Sequence, residues 1–187
     1  SIFDTFMQKV GEGFSKLRVG TPQEDMELGP VINARQRQAV NQHIRQARED
    51  GIPVLGEALL RDDLPAEGHF VVPTVFGPVP ADHSLAQEEV FGPVLAAMAF
   101  DTEDEAVELA NGTQYGLAAA IWTRDGDRFA RLSSQLIAGQ CFINCYGAGG
   151  GVELPFGGMK RSGHGREKGW MALEEMSTTK TIIHFYG

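Results

Sequence analysis

The sequence predicts an α/β fold in which helices cover both faces of a mostly parallel sheet, giving three layers. One observation is the order of segments along residues 92–145, where apolar stretches typical of buried strands alternate with amphipathic helical stretches. Parallel strands need crossover connections, usually helical and right-handed, so this order favours a parallel sheet. Another is size, since 187 residues, 42% of them hydrophobic, can bury a substantial core.

Two helices are predicted before residue 92. Apolar residues recur at helical spacing over residues 2–17, and a second amphipathic helix covers residues 33–50. Asn33 is a favourable N-cap for the second helix, and Gly51 ends it. Its predicted buried stripe consists of Val40, Ile44 and Ala47.

The remaining elements are predicted from apolar runs and turn residues. A short strand is expected in IPVLGEA, and two prolines limit any strand in HFVVPTVFGPV to a short or edge position. The helix in DGDRFARLSSQL begins at Asp125 or Asp127. The other predicted segments are the strands GPVLAAMAF, LAAAIWT, GQCFIN and TKTIIHFYG, and the helices DTEDEAVELANG and GWMALEEMS.

Composition and charge exclude several classes of protein. A net charge of −9 argues against a general nucleic-acid binder, which needs clustered lysine and arginine to neutralise phosphates. No apolar run reaches the roughly 18 residues of a membrane span, so no membrane partner is expected. Two cysteines give no disulfide framework, and a cytoplasmic location is predicted. The chain lacks an initiator methionine and opens inside a helical pattern, which predicts a fragment or a processed piece.

Both cysteines fall in the segment GQCFINCYGAGGG, at Cys141 and Cys145. A nucleophilic thiolate needs partial exposure and an activating cation or helix N-terminus. Cys141 lies in a predicted buried strand with no histidine close in sequence, which favours a packing role. The same role is favoured less strongly for Cys145, beside the glycines. Two cysteines and a distant histidine are too few ligands for a metal site, and none is predicted.

A further pattern is QEEVFGPV, residues 87–94, in which two carboxylates and an aromatic precede a predicted buried strand. Ligands of open α/β sheets gather in loops at strand ends, so the pattern is compatible with a ligand site and equally with a polar turn. The glycines of GAGGG do not precede a helix, so they do not form a dinucleotide fingerprint.

Four motif-like segments follow one another along the chain from residue 87 onward: QEEVFGPV, YGLAAAIWT, GQCFINCY and ELPFGGMKRSGHGREKGW. Together they resemble the NAD(P)-dependent aldehyde dehydrogenase superfamily, and several motifs in register are more specific than any one. The resemblance extends over residues 3–180. It implies the C-terminal part of that family's catalytic domain, expected over residues 1–175. An oligomerisation strand is expected over residues 176–187, through which a homo-oligomer would form.

The resemblance implies oxidation of an aldehyde to a carboxylic acid through a cysteine thioester. The family's nucleophilic cysteine, general-base glutamate and dinucleotide-binding domain are expected upstream of residue 1. No catalytic residue is therefore assigned, and the chain alone is predicted to be inactive. NAD or NADP is the expected cofactor of the whole enzyme, with weak or no binding to this chain. A non-catalytic assembly module and, less favoured, an autonomous thiol enzyme are the alternatives.

The resemblance also implies accessory roles for single residues. Glu89 matches the carboxylate that holds the nicotinamide ribose, and Phe91 matches an aromatic that packs near the nicotinamide. Gln36 matches, loosely, a polar residue near the adenosine-side ribose. On the substrate side, Phe156 matches an aromatic lining the tunnel, and Tyr146 opens the glycine-rich substrate-entrance loop.

Overall fold

The computed structural model describes residues 2–146 and 151–187, which form helices and strands largely in the predicted order. The chain packs as two compact units, Ser1–Asp101 and Thr102–Gly187. The first unit contains α1 (Phe3–Phe14), α2 (Ala34–Glu49), β1 (Val54–Glu57), β2 (Thr74–Phe76), α3 (Ser84–Gln87) and β3 (Val94–Ala96). The second contains α4 (Glu103–Asn111), β4 (Tyr115–Gly116), β5 (Ala118–Ile121), α5 (Gly126–Gln135), β6 (Gln140–Ile143), β7 (Met159–Lys160) and α6 (Met171–Glu175).

The first two helices lie where they are predicted. α2 begins as expected, because the side chain of Asn33 accepts a hydrogen bond from the backbone N–H of Gln36. It is followed by Gly51, whose φ of 76° lies in the left-handed region that glycine tolerates. α1 ends before residue 17, because the N–H groups of Lys16 and Leu17 bond three residues back and tighten the chain.

β2 is the central strand of the sheet in the first unit. It pairs antiparallel with β1 and parallel with β3, and all three of its residues are buried. The prolines are compatible with this position because Pro73 precedes the strand and Pro78 follows it, so neither removes a donor from its ladder. β2 is therefore short, as predicted, but central. The core beside it consists of Val40, Ile44, Ala47, Val71, Phe76, Val79 and Leu85.

Two glycines allow α1 to lie directly on β1. A Cβ atom on Gly11 would overlap the carbonyl of Leu55, and one on Gly56 would overlap the backbone of Gly11. Helix and strand backbones can approach this closely only where neither residue has a side chain. The contact fixes α1 against the edge strand of the sheet.

Two ion pairs, Arg18–Glu27 and Arg61–Glu24, stabilise the connection between α1 and α2. The Arg18 side chain lies with Nη2 2.6 Å from Oε1 of Glu27, and hydrogen bonds from that side chain and from the Arg18 backbone lower the pKa of Glu27 to about 2. Glu24 accepts from the backbone N–H of Thr21, from Arg61 and from the Thr21 hydroxyl. These bonds lower the pKa of Glu24 to about 2, so both carboxylates stay ionised well into the acid range.

The second unit is built around one parallel pair of strands. β5 and β6 pair in register along their four residues, and α5 connects them. This is the predicted crossover, and of the two predicted caps Asp125 is the one that forms, since its carboxylate accepts from two N–H groups in the first turn of α5. β4 and β7 form a separate antiparallel pair.

The sheets differ from the predicted three-layer, mostly parallel sheet. The described residues form one mixed sheet of three strands and two sheets of two strands. β3 pairs with β2 rather than with β5, and strand pairing of this kind depends on contacts distant in sequence. Among the described residues, the buried hydrophobic side chains all lie in the first unit, so the strands of the second are only half covered.

The predicted terminal strand is not formed within the single chain. Residues 177–187 have no regular secondary structure, and their apolar side chains are exposed. An oligomerisation strand would gain its hydrogen bonds from another subunit, so the strand remains a prediction. Within the described ranges, no helix combines the length and apolarity that a membrane crossing requires.

Candidate functional site

Residues 88–92, the 88–92 segment, connect α3 to β3 and carry the predicted cofactor residues. Glu88 is the C-cap of α3, and its backbone N–H donates to the carbonyl of Ser84. Glu89 follows with an exposed side chain that has no ion pair or hydrogen bond within the described part of the chain. Its carboxylate is therefore free to accept hydrogen bonds from a ligand.

Phe91 combines a left-handed backbone conformation with an exposed aromatic ring. Its φ of 52° places it in the left-handed region, which costs a non-glycine residue about 1–3 kcal/mol. The side chain is 73% exposed. An exposed aromatic ring two residues from a free carboxylate can stack on a planar ring whose sugar the carboxylate holds.

One face of α2 holds this segment in place. Nε2 of Gln36 donates to the carbonyl oxygens of Val90 and Phe91, at 3.0 and 3.1 Å. One turn further, the methyl groups of Val40 occupy the space that a side chain at Gly92 would need. Nε2 of His43 lies 3.9 Å from the Glu88 carboxylate. The three α2 residues recur at intervals of four and three, as neighbours on a helix face do.

His83 fixes the start of α3, four residues long. Its Nδ1 accepts the backbone N–H of Leu85 at 3.1 Å, and its Nε2 lies 3.2 Å from Oδ2 of Asp50, the C-cap of α2. A backbone N–H can only donate, so Nδ1 is unprotonated and Nε2 carries the proton toward Asp50. The start of α3 is thus attached to the C-terminal end of α2.

The predicted substrate residues lie in the second unit. Phe156 forms a two-way backbone bridge with Glu167, each N–H donating to the other carbonyl at 2.7 Å. Nζ of Lys168 lies 5.5 Å from the centre of the Phe156 ring, a cation–π contact. Tyr146 is 92% exposed. The predicted substrate-entrance loop, 146–154, includes residues 147–150, which lie outside the described residues.

Asn144 ends β6 just before that loop. Its side chain accepts the N–H of Thr123 at 2.8 Å and donates to the carbonyl of Thr123 at 2.7 Å. Its φ of 52° is in the left-handed region, which asparagine tolerates better than most residues. This amide pair holds the two chain segments that leave the parallel strands.

Cys141 fits the predicted packing role, whereas the packing role predicted for Cys145 is wrong because its side chain is exposed. Cys141 lies opposite Ala119 in the β5–β6 pair, and burial raises the pKa of its thiol. A raised pKa leaves less of the reactive thiolate at neutral pH. Cys145 is exposed and follows Asn144, whose left-handed backbone ends the strand. Within the described residues, no group of three or more histidine, cysteine or carboxylate side chains could hold a metal ion.

Comparison with known proteins identifies the chain's family. The family profile described as "Aldehyde dehydrogenase family" matches residues 1–182. The chain belongs to the aldehyde dehydrogenase family. Among its relatives, the 4-trimethylaminobutyraldehyde dehydrogenase of Sus scrofa is 40% identical over 185 residues, which are 97% of this chain and 37% of that enzyme. The betaine aldehyde dehydrogenase of Brucella anthropi is 39% identical over 181 residues, 96% of this chain and 37% of that enzyme.

Solved aldehyde dehydrogenase structures share this chain's fold. A Burkholderia cenocepacia protein assigned to the aldehyde dehydrogenases is 54% identical, with a TM-score of 0.93, and is matched over 97% of this chain and 38% of its own. The Mycobacterium tuberculosis aldehyde dehydrogenase, solved in complex with NAD+, is 36% identical with a TM-score of 0.86, over 93% of this chain and 36% of its own. The chain thus spans little more than a third of the relatives it matches.

The aldehyde dehydrogenase motifs predicted part of this geometry. The structure brings Gln36 to the backbone beside Glu89 and Phe91, three residues that the sequence grouped only by resemblance. The roles of His83 and Lys168 were missed. The Asp50–His83 contact joins residues 33 apart, for which a single sequence carries no signal. Lys168 stands in a glycine-rich turn, and its φ of 61°, which brings it over a ring, is not readable from the sequence.

Proposed function

We propose that this chain is the C-terminal part of an NAD(P)-dependent aldehyde dehydrogenase that oxidises an aldehyde to a carboxylic acid. The observation that carries the proposal is the 88–92 segment, where a free carboxylate and an exposed aromatic lie two residues apart in a chain of this family. The nucleophilic cysteine and the general-base glutamate belong to the part that precedes residue 1. The chain alone is therefore inactive in this proposal, which is supported by its length of about 37% of its relatives.

The exposed residues of the segment fit a nicotinamide nucleotide. The Glu89 carboxylate, free in the structure, accepts hydrogen bonds from the ribose hydroxyls, and the Phe91 ring packs near the nicotinamide. Both hydrogens of the Gln36 amide nitrogen are committed to backbone carbonyls, so only its Oε1 remains for a ribose hydroxyl. The cofactor supplies the hydride acceptor when it is bound. Relatives solved with NAD+ support this choice of cofactor.

The second unit supplies the substrate side. Phe156 lines the tunnel, and Tyr146 stands at its entrance. Lys168 places a positive charge 5.5 Å from the Phe156 ring, which repels a cationic group at that ring. The substrate is therefore a neutral or anionic aldehyde rather than a quaternary ammonium aldehyde such as the one named for the Sus scrofa enzyme.

Assembly completes the enzyme in the cytoplasm. Residues 177–187 are exposed and form no strand in the described chain, which suits pairing with a second subunit in a homo-oligomer. The half-covered strands of the second unit would be covered by the rest of the catalytic domain, giving the three-layer sheet. The same apolar surface also favours a second candidate function, a non-catalytic module that docks on a complete relative.

The decisive experiment uses a chimera in which this chain replaces the matching part of the 54% identical Burkholderia cenocepacia protein. Aldehyde-dependent reduction of NAD or NADP is followed at 340 nm for the chimera, its parent and the 187-residue chain. We expect activity in the chimera and none in the chain. Glu89→Gln should raise the KM for the cofactor about 10- to 100-fold, because a hydrogen bond to a charged group is lost.

Glu67→Gln is the matched control, since Glu67 is an exposed glutamate of the same unit and should leave that KM unchanged. An active parent with an inactive but folded chimera would favour the docking module. Activity of the 187-residue chain that Cys141→Ala abolishes would refute the placing of the nucleophile upstream.

A further inference from the structure

The side chain of Gln36 ties α2 to a part of the first unit 54 residues away. Its Nε2 donates to the carbonyls of Val90 and Phe91. A primary amide nitrogen carries two hydrogens, so this donor capacity is fully used. The backbone N–H of Gln36 in turn donates to the Asn33 cap at 2.9 Å. The amide is thus held on the first turn of a capped sixteen-residue helix, a fixed support.

The two carbonyls that it holds belong to a strained stretch of backbone. Phe91 adopts a φ of 52°, and such residues persist only where their surroundings fix them. Its ring is largely exposed, so packing of the ring does not impose this conformation. The contacts that hold this backbone include the amide of Gln36 before Gly92, the methyl groups of Val40 against Gly92 and the packing of the Val90 side chain on the core.

We infer that Gln36 is a positioning residue, which sets the backbone at Val90 and Phe91 and so the directions in which Glu89 and Phe91 present their side chains. A residue that binds the nucleotide directly would instead use its amide as a ligand. The two roles differ in the atom that matters: positioning needs the N–H donors, whereas direct contact is left only with Oε1. The two hydrogen bonds from Gln36 to the carbonyls of Val90 and Phe91 are called the clamp. The consequence for the cofactor rests on the proposed function, whereas the clamp does not.

The clamp is tested in the 187-residue chain with Gln36→Met, which keeps the length of the side chain and removes both donors. A glutamate-specific protease reports the opening of the 88–92 segment, because it cleaves after Glu88 and Glu89 only when the backbone opens. We expect cleavage there to be about tenfold faster, corresponding to the loss of two ordinary hydrogen bonds. The three-bond HN–Hα coupling of Phe91, measured by NMR, should move away from its left-handed value.

Gln38→Met is the matched control, an exposed glutamine on the same helix, and should change neither readout. A folded Gln36→Met variant with wild-type cleavage and wild-type Phe91 coupling would overturn the inference. If the variant does not fold, the wild-type chain still decides the question. The side-chain amide protons of Gln36 should exchange with solvent much more slowly than those of Gln38, and equal exchange would overturn the clamp.

The consequence for the cofactor is tested in the chimera with Gln36→Glu, which keeps an acceptor oxygen on the side chain but has no N–H donor. Positioning predicts that the KM for the nicotinamide nucleotide rises about tenfold while kcat changes much less. An unchanged KM would assign Gln36 to direct contact and refute positioning. A chimera that never uses NAD or NADP, with a protected Gln36 amide in the chain, would refute the proposed function and leave the clamp standing.

Discussion

The contact between Gly92 and Val40 allows a quantitative test of how α2 holds the 88–92 segment. A Cβ atom built on Gly92 lies 2.6 Å from one Val40 methyl carbon and 2.9 Å from the other. Carbon atoms prefer about 3.5–4.0 Å, so about 1 Å of overlap must be relieved. Val40 is fully buried and β-branched on a helix, so neither methyl group can rotate away. We expect Gly92→Ala to lower the free energy of unfolding by about 2–3 kcal/mol.

A smaller side chain at position 40 should relieve the overlap. Val40→Ala alone removes two buried methyl groups and should cost about 2 kcal/mol, including the cavity that it leaves. In the double variant the new methyl group at position 92 enters the vacated space, so the two costs do not add. We expect the double variant to be destabilised by about 2 kcal/mol rather than 4–5 kcal/mol. Urea unfolding, with constant m-values, measures the cycle.

Gly13→Ala is the matched control for the glycine change. A Cβ atom there meets nothing within 4 Å, so the substitution should stabilise α1 by about 0.5–1 kcal/mol. Additive effects of Gly92→Ala and Val40→Ala, within about 0.5 kcal/mol, would show that the two residues do not share one space. That result would refute the packing of α2 on the segment.

Three further predictions address other parts of the chain. The folded-state pKa of Glu24 is about 2, below its ordinary 4.5, so its contribution to stability is complete above pH 4.5 and is lost as the pH falls toward 2. Glu24→Gln should remove this part of the acid dependence of unfolding, and an unchanged dependence would contradict it. Iodoacetamide should modify Cys145 faster than Cys141, measured by mass spectrometry, and equal rates would contradict the difference in burial. In the chimera, Lys168→Met should raise kcat/KM for a quaternary ammonium aldehyde about threefold relative to a neutral aldehyde of similar size, and an unchanged ratio would remove Lys168 from substrate selection.

Local signals in the sequence predicted the helices well. Asn33 and Gly51 fixed both ends of α2 to within one residue, because a cap and a left-handed stop act on their immediate neighbours. Asp125 did the same for the start of α5. The strands of the parallel pair were also found, since a crossover helix lies between them in the sequence.

Sheet assembly and the support of the site were less predictable. β2 joins β1 and β3 through pairings that depend on contacts across the fold, and no local pattern chooses among them. The motif around Glu89 and Phe91 marked the segment, but its backbone conformation is set from α2, more than fifty residues away. The cofactor roles of Glu89 and Phe91 stay predictions from the sequence, and the structure adds the contacts that hold the backbone of the segment.

The anchors around the predicted substrate-entrance loop bear on how such enzymes diverge. Asn144 closes one end through its amide pair with Thr123, and the backbone bridge between Phe156 and Glu167 closes the other. Residues between two such anchors can be replaced, inserted or deleted without moving the strands that carry them. Under the proposed function, selection for a new aldehyde can then act on the loop without disturbing the strands, so a lineage can change its substrate while its scaffold stays under separate constraint.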